Sequence, residues 1–285
     1  MTHLTLLTPL KNLFYSQNVA VQNDIIKLFE DKYNISKTNF LLNINNIDFR
    51  TQQIRDCIKI INNYPVEYIT NKVLFYNNEF YIQQKVLIPR EDTEILVNAI
   101  IKKLNKDRNY KIFEIGTGSG ALLVSLALNN AKLRLCGIDI YNKAYQNTKH
   151  NINKYNLKNR VFNTKCDIKN FVKFKGLSLK NCDIIFSNPP YIKKSSHSRL
   201  QSSVKFFESH LALFGGVDGL YFYKLILNKC SIECKKNAII FFEIGYDISK
   251  ELTNFINKKY FGMFKITEKI YHNNINRVIV IQKIL

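Results

Sequence analysis

The sequence predicts an α/β protein with a mostly parallel, doubly wound sheet, preceded by a small helical domain. From about residue 91, short apolar strands alternate with helical segments, which is typical of a parallel sheet with helices on both faces. Residues 1–70 contain no glycine and carry apolar residues at helical spacing. Residues 71–90 change to short strand-like runs. We therefore predict a helical domain at 1–70, a β-hairpin linker at 71–90 and a sheet domain at 91–285.

The helical domain is predicted from two amphipathic stretches. Residues 21–29 place apolar side chains on one helical face, and Ile54, Ile58 and Ile61 are spaced four and three apart. This domain holds no catalytic constellation. It either caps the second domain or recognises a partner, and the sequence leaves both readings open.

The linker is predicted as a hairpin because two short apolar runs surround a turn. Residues 73–76 and 80–82 have strand character, and Asn77 and Asn78 separate them.

The sheet domain follows from the alternation beyond residue 91. The predicted helices lie at 94–104, 121–128 and 141–155, and the predicted strands at 111–115, 133–139, 183–186, 238–243 and 278–281. Ligands bind at the carboxyl ends of the strands in such sheets. Because each unusual motif follows one of these strands, we expect the motifs to converge.

Composition narrows the class of protein. The chain has 285 residues, of which 46% are hydrophobic, so a full core is expected. No apolar run approaches the roughly 18 residues that cross a membrane. Residues 1–13 lack the order of a secretory signal. We expect a soluble, cytoplasmic protein that binds no membrane.

Metal and disulfide chemistry are not indicated. The six cysteines form no C-x-x-C pair, and the five histidines have no metal-binding spacing. We expect reduced thiols, no metal site and no covalent nucleophile.

The formal net charge of +20 raises the possibility of a nucleic-acid partner. The charge comes mostly from lysines that are scattered along the chain, without a basic run or an arginine cluster. It is compatible with a ribosomal, RNA or release-factor setting and selects none of them. We expect that no direct nucleic-acid binding is required.

A glycine-rich loop follows the strand at 111–115 and is the first candidate site. It consists of Gly116, Thr117, Gly118, Ser119 and Gly120, and the acidic Glu114 lies two residues before it in the strand. Glycines let a ligand approach the backbone, and the following helix offers free amide donors. A dinucleotide loop places its third glycine one residue later. The observed spacing suits S-adenosylmethionine better, although a tight strand-to-helix turn would look the same.

Two acidic positions extend this candidate cofactor site. Asp139 ends the next strand, nineteen residues after Gly120, where a carboxylate accepts hydrogen bonds from ribose hydroxyls. A solvated acid at a strand end is an equally common reading. Asp167 and Ile168 would contact the adenine through its amino group and its ring, or Asp167 would merely cap a helix.

The most specific motif is Asn188-Pro189-Pro190-Tyr191, directly after a predicted strand. The two prolines remove backbone donors, stiffen the loop and leave carbonyl oxygens free. These oxygens and the Asn188 side chain would accept hydrogen bonds from a planar NH2 group, and Tyr191 would offer a flat face. Catalysis would then rest on orienting the nitrogen and stabilising its developing charge. The competing reading is an ordinary proline turn.

Several blocks together resemble one family. They are residues 65–69 (PVEYI), residues 87–94 (LIPREDTE), the glycine loop, Asp139, the Asn-Pro-Pro-Tyr-Ile run, Glu208, residues 212–220 (ALFGGVDGL) and residues 243–245 (EIG). From about Tyr64 onward the chain is similar to the bacterial release factor glutamine methyltransferases of the HemK/PrmC type. The flanking blocks favour this group over the adenine methyltransferases that share Asn-Pro-Pro-Tyr.

The resemblance implies a Rossmann-like class I S-adenosylmethionine-dependent methyltransferase domain. It implies methylation of the side-chain amide of the glutamine in the Gly-Gly-Gln motif of class 1 peptide chain release factors, during translation termination. It also implies that the N-terminal domain helps to hold this protein substrate. The implied cofactor-site residues are Gly116, Gly118, Gly120, Asp139, Ile168 and Asn188, and residues 188–191 would hold the glutamine.

The sequence departs from the family pattern in three places. Glu91 stands where proline is usual, and Ile168 stands where an aromatic residue, commonly tryptophan, would cover the adenine. The Lys-rich segment between Asp167 and Asn188 is a few residues longer than usual. None of these changes removes a group assigned to the reaction.

Two other functions remain open at this point. A nucleic-acid amino methyltransferase acting on adenine or guanine would share the loop chemistry and would use the positive charge. A binding protein that had lost activity would keep the fold, but the intact motifs argue against it. We expect a monomer.

Overall fold

The computed structural model describes residues 14–44, 50–105 and 107–285. The expectation that residues 1–13 are not a secretory signal lies outside the described residues. By its internal packing the chain divides into two compact units. The first is Met1–Lys72 with Gln201–Phe207, and the second is Val73–Leu200 with Glu208–Leu285.

The first unit is helical. Asn18 and Ser36 cap two of its helices, each accepting a hydrogen bond from a backbone N–H of the first turn, as short polar side chains do at helix starts. Its helices are α1 (Val19–Tyr33), α2 (Lys37–Asn43), α3 (Thr51–Ile61), α4 (Val66–Thr70) and α8 (Ser202–Phe207). The two helices predicted in this region are therefore confirmed.

An aromatic core holds these helices together. The rings of Phe29 and Phe40 are fully buried with their centroids 4.6 Å apart. One acid, Asp56, is also fully buried, and it accepts hydrogen bonds from Lys32 at 2.6 Å and from Tyr33 at 2.9 Å. Its buried charge is thus compensated, as burial of a carboxylate requires.

The predicted hairpin is confirmed. Strands β1 (Lys72–Phe75) and β2 (Asn78–Tyr81) form a two-stranded sheet. The turn lies at Tyr76 and Asn77, one position earlier than predicted, and these residues have φ angles of 50° and 57°. Two successive residues in the left-handed region give a turn whose twist matches the strands.

The second unit contains a seven-stranded sheet in the order β5-β4-β3-β6-β7-β9-β8. Its strands are β3 (Tyr110–Ile115), β4 (Leu133–Asp139), β5 (Val161–Lys165), β6 (Ile184–Ser187), β7 (Ile239–Glu243), β8 (Phe264–His272) and β9 (Ile275–Lys283). The first five strands in this order are parallel, and β9 runs antiparallel to both β7 and β8. The mostly parallel, doubly wound sheet is confirmed.

Strands β5 and β8 were not predicted, and their place in the sheet explains why. They are its two edges, so they are only partly buried and carry Asn, Thr, Lys and Glu among their apolar residues. Neither has the continuous apolar run that identifies a central strand.

Helices cover the sheet. They are α5 (Glu94–Lys103), α6 (Ala121–Asn129), α7 (Asn142–Lys154), α9 (Tyr221–Glu233) and α10 (Ser249–Lys259). Strand β3 pairs with β4 on one side and with β6 on the other, so the chain connections diverge at this point. A crevice therefore opens at the carboxyl ends of β3 and β6, where ligands bind in such folds. In the described ranges no helix has the length and apolar character of a membrane span.

Candidate functional site

A cavity of about 430 Å³ lies at the carboxyl ends of β3, β4 and β6. It brings the predicted motifs together, as the sheet topology requires. The predicted residues that line it are Gly116, Gly118, Asp139, Asp167, Ile168, Asn188, Pro189 and Pro190. Residues 85–87, which follow the hairpin, also line the cavity, as do Ser209, Leu211, Ala212, Tyr221, Phe222, Leu225 and Ile226.

Asp139 braces the glycine loop. Its Oδ2 accepts a hydrogen bond from the Gly118 N–H at 2.9 Å, and its Oδ1 accepts one from the Tyr141 N–H at 2.8 Å. Burial raises the pKa of Asp139, while these backbone hydrogen bonds oppose the rise. Each carboxylate oxygen keeps acceptor capacity for a ligand hydroxyl.

The remaining loop residues lie behind the cavity wall. Thr117 is buried and its hydroxyl accepts a hydrogen bond from Thr148 at 2.9 Å. The Ser119 hydroxyl accepts one from the Ala121 N–H at 3.3 Å. Gly120 begins α6 with a φ of +79°. These three predicted cofactor residues are thus placed to shape the loop and not to face the cavity.

Two asparagines that sequence reasoning missed hold this loop in place. Asn147 and Asn151 are fully buried, one turn apart on α7, and both donate to the Ser119 carbonyl, at 3.0 and 2.9 Å. Both also donate to the Tyr81 carbonyl at 2.9 Å, and their side-chain oxygens accept from the Gln83 and Tyr81 N–H groups. An asparagine pair four residues apart in a predicted helix is the signal that would have found them.

The residues present fit a nucleoside-type cofactor. A Cβ atom built at Gly116 or Gly118 would meet no atom within 4 Å, so the cavity runs directly against the bare backbone of the loop. Asp139 offers acceptors for hydroxyl groups, and Ile168 offers an apolar surface, buried among core residues, for a ring. Mostly apolar walls with a few fixed polar groups are typical of small-molecule sites.

Glu114, the second-last residue of β3 and two positions before this loop, is fully buried. Its Oε2 has no hydrogen-bond partner among the described residues. Burial, and then the negative charge of Asp139, raise the pKa of Glu114 well above its ordinary value.

Asn188 opens the second wall of the cavity. It follows β6 directly, and the preceding Ser187 ties β6 to β3 by donating a hydrogen bond to the Ile115 carbonyl at 2.6 Å. The Asn188 Nδ2 lies 3.4 Å from the Thr93 Oγ1, to which it donates. Pro189 and Pro190 continue along the same wall.

Tyr191 turns away into the protein, where three glycines make room for the loop. Its ring lies 2.8 Å from the position that a Cβ of Gly245 would take, and its carbonyl oxygen 2.5 Å from that of Gly219. A Cβ on Gly215 would come within 2.6 Å of the Pro190 carbonyl oxygen. Side chains at these positions would displace the loop, because such distances are shorter than real contacts.

A buried acid, Glu243, stands beside Asn188. It ends β7, and the parallel register pairs Ser187 with Phe242, so Asn188 and Glu243 are the next residues on neighbouring strands. Burial raises the pKa of Glu243 to about 7, while hydrogen bonding from Thr93 and the charge of Arg277 oppose the rise. Thr93 and Glu243 lie within the blocks of family resemblance, but no role was predicted for either residue from the sequence.

Among the described residues, no group of three or more His, Cys, Asp or Glu side chains is arranged to hold a metal ion.

Comparison with known proteins gives a consistent result. A family model described as "Putative methyltransferase" matches residues 108–215. A release factor glutamine methyltransferase of Clostridium botulinum is 38% identical over 201 residues, covering 69% of each chain. A protein of the same name from Mycoplasma mycoides is 30% identical over 255 residues, covering 86% of each chain.

A solved structure supports the fold. A methyltransferase from Pyrococcus furiosus superposes with a TM-score of 0.52 at 19% identity, covering 80% of this chain and 98% of that one. At this level of identity the likeness concerns the architecture of the sheet and its helices alone.

Proposed function

Because the chain belongs to the release factor glutamine methyltransferases, we propose that it methylates the glutamine side-chain amide in the Gly-Gly-Gln motif of class 1 peptide chain release factors. The chain is a methyltransferase that uses S-adenosylmethionine. One observation carries the finer proposal: Asn188, Pro189 and Pro190 line the same cavity as Gly116 and Gly118. An amide held at the first group would thus face a cofactor held at the second.

In this proposal the glycine loop, Asp139 and Ile168 hold the cofactor. Asp139 would accept hydrogen bonds from the ribose hydroxyls, and Ile168 would pack against the adenine. When bound, S-adenosylmethionine supplies an electrophilic methyl group. The side chain at 168 gives less surface than an aromatic ring, so the adenine would depend more on the surrounding apolar wall.

The reactive loop would orient the substrate amide. An amide nitrogen is a poor nucleophile because its lone pair is delocalised into the carbonyl. The Asn188 Oδ1 and the carbonyl oxygens of the proline segment would accept hydrogen bonds from the substrate NH2 and hold it in one orientation. A fixed near-attack geometry lowers the barrier without a strong base.

The rim of the cavity fits a protein substrate. Leu211 and Tyr221 line the cavity and are 69% and 49% exposed, and Val217 nearby in sequence is 83% exposed. Large apolar side chains left in solvent beside a polar site are typical of a surface that a partner covers. The helical unit is proposed to contribute to partner recognition as well.

The test is methyl transfer from labelled cofactor to a purified class 1 release factor, followed by mass spectrometry of the peptide that carries Gly-Gly-Gln. Label on the glutamine of that motif is expected. Label on another residue would contradict the proposed site of methylation. A release factor whose motif glutamine is changed to alanine serves as the control and is expected to stay unlabelled.

The second candidate is methylation of an exocyclic amino group in RNA or DNA, which the net charge of +20 favours. It is distinguished in the same assay. Label that enters bulk RNA or DNA and leaves the release factor unlabelled would replace the first proposal by the second.

The cellular location and the oligomeric state of the enzyme are also proposals. A translation factor as substrate places the enzyme in the cytoplasm. A monomer is proposed as well, and no direct nucleic-acid binding is needed for the reaction.

A further inference from the structure

We propose that Glu243, acting with Thr93, is a positioning residue that turns the Asn188 side chain so that its oxygen faces the substrate. This inference rests on the proposed function of the Asn188 loop and adds two residues to it.

The geometry places two acceptors on one side of the Asn188 amide. The Nδ2 donates to the Thr93 Oγ1 at 3.4 Å, and the Glu243 carboxylate is next to Asn188 across the parallel strands β6 and β7. Thr93 and Asn188 lower the pKa of Glu243 as hydrogen-bonding neighbours, and its Oε2 is buried without a hydrogen-bond partner among the described residues. In the proposed arrangement Thr93 accepts from Asn188 and would donate to the Glu243 carboxylate.

Such an arrangement is needed because an amide side chain is nearly symmetric in shape. Its oxygen and nitrogen ends occupy similar space, so packing alone does not decide which end faces the cavity. An ionised carboxylate only accepts hydrogen bonds and therefore attracts the NH2 end of Asn188. The oxygen end is then left to accept a hydrogen bond from the substrate NH2.

Protonation of Glu243 would remove this preference for the NH2 end of Asn188. The protonated carboxyl gains an O–H donor, which would pair equally well with the oxygen end of Asn188. In that orientation the cavity would present an NH2 group to an NH2 substrate, and two donors do not pair. Only the ionised form of Glu243 thus supports the productive orientation.

The surroundings of Glu243 place its pKa within the ordinary pH range. Burial raises the pKa of Glu243 to about 7. The other charged or titratable groups facing it are Arg277 on β9, Asp92 before α5, Tyr191 in the reactive loop and Tyr223 on α9. The charge of Arg277 lowers the pKa of Glu243, and the charge of Asp92 raises that pKa. Arg277 also donates a hydrogen bond to Asp92 at 2.6 Å. Glu243 ionises as the pH rises through about 7, so the rate should fall below that pH.

The first test is the pH profile of kcat on the release factor. The wild type is expected to keep a plateau at pH 8 and to lose about tenfold per pH unit well below 7, as one protonation requires. Glu243→Gln is expected to lower kcat at pH 8 by roughly 10- to 100-fold and to remove the fall in kcat below pH 7. The affinity for S-adenosylmethionine, measured by calorimetry, should change less than threefold. A Glu243→Gln enzyme with the wild-type rate and profile would overturn the inference.

Thr93→Val gives a nearly isosteric second variant that removes only the hydroxyl. Its kcat is expected to fall by about tenfold, as the loss of one positioned hydrogen bond predicts, and Thr93→Ser is expected to restore most of it. Thr267→Val, which removes a hydroxyl from β8, and Glu268→Gln, which removes a half-exposed carboxylate there, are the matched controls. Equal rates in Thr93→Val and Thr267→Val would contradict the role of Thr93.

A third measurement needs no substrate, so it separates this inference from the proposed function. The Asn188 side-chain amide signals in a ¹⁵N correlation spectrum, assigned by their loss in Asn188→Ala, should shift with a midpoint near pH 7. Glu243→Gln should abolish that shift. Amide signals that stay constant from pH 5 to 9 in the wild type would refute the inference, even if release-factor methylation were established. Absence of methylation with titrating amide signals would instead refute the proposed function alone.

Discussion

The two walls of the cavity are built by different physical means. The cofactor wall, formed by Gly116, Gly118 and Asp139, is shaped by the backbone conformation of the glycine loop, which neutral hydrogen bonds from Asn147 and Asn151 brace from behind. The reactive wall, formed by Asn188, Pro189 and Pro190, is stiffened by its prolines and stands beside Thr93 and the buried Glu243 carboxylate. Both walls follow neighbouring parallel strands, so the sheet places them together whatever their chemistry.

The difference has a functional reason. A wall that only binds a cofactor needs a fixed shape, which the glycines and the hydrogen-bonded amides of Asn147 and Asn151 provide. A wall that orients a reacting nitrogen needs one particular arrangement of acceptors, and a nearby charge supplies it. Changes in the first wall should therefore appear in stability and cofactor affinity, and changes in the second in turnover.

The sharpest way to break this comparison is Asn188→Ala. It removes the acceptor for the substrate amide and is expected to lower kcat by about a thousandfold, in the range of losing one key transition-state contact. Cofactor affinity and the free energy of unfolding should stay near wild type. They would be checked by calorimetry and by denaturant unfolding. Wild-type turnover would refute the proposed amide clamp.

The next largest effect is expected from Asn151→Leu on the cofactor wall. It leaves the Tyr81 N–H without its acceptor and removes one of the two donors to each of the Tyr81 and Ser119 carbonyls, which should cost about 3 kcal/mol of unfolding free energy. Asn153→Leu, an exposed position on the same helix, is the control and should change stability by less than about 0.5 kcal/mol. Equal stability losses at both positions would mean that the buried bridge contributes nothing specific.

Gly120→Ala is expected to cost about 2 kcal/mol, measured by denaturant unfolding. The residue has a φ of +79°, and an added Cβ would lie 2.9 Å from a methyl carbon of Thr148. Gly262→Ala is a matched control, because Gly262 has a φ of +73° and open space around it. It should cost only the backbone strain, about 1 kcal/mol. A Gly262 variant as unstable as the Gly120 variant would show that the close contact with Thr148 is unimportant.

The smallest effect is expected from Asp139→Ala. It removes the brace on the Gly118 and Tyr141 N–H groups and the proposed ribose acceptor, so cofactor affinity should fall by about tenfold. At saturating cofactor, kcat should change little, because the reactive wall is untouched. Unchanged affinity in calorimetry would remove Asp139 from the proposed cofactor site.

Helices α9 and α10 were not predicted from the sequence. The sequence by itself determined the central strands, the helices α5, α6 and α7 and the order of the motifs. Apolar runs and helical spacing encode these features within a few residues, and strand-end motifs must converge in a parallel sheet. The edge strands β5 and β8 escaped prediction because edges need no continuous apolar run.

Only the tertiary structure decided which side chains support the motifs. Thr93 and Asn188 are 95 residues apart, and Asn151 and Tyr81 are 70 apart, so no local pattern links them. No local pattern assigns the segment Gln201–Phe207 to the first unit either, because the residues on both sides of it in the sequence belong to the second unit. Local periodicity predicts which face of an element is buried. The partner that meets each buried polar group is chosen by the packing of the whole sheet.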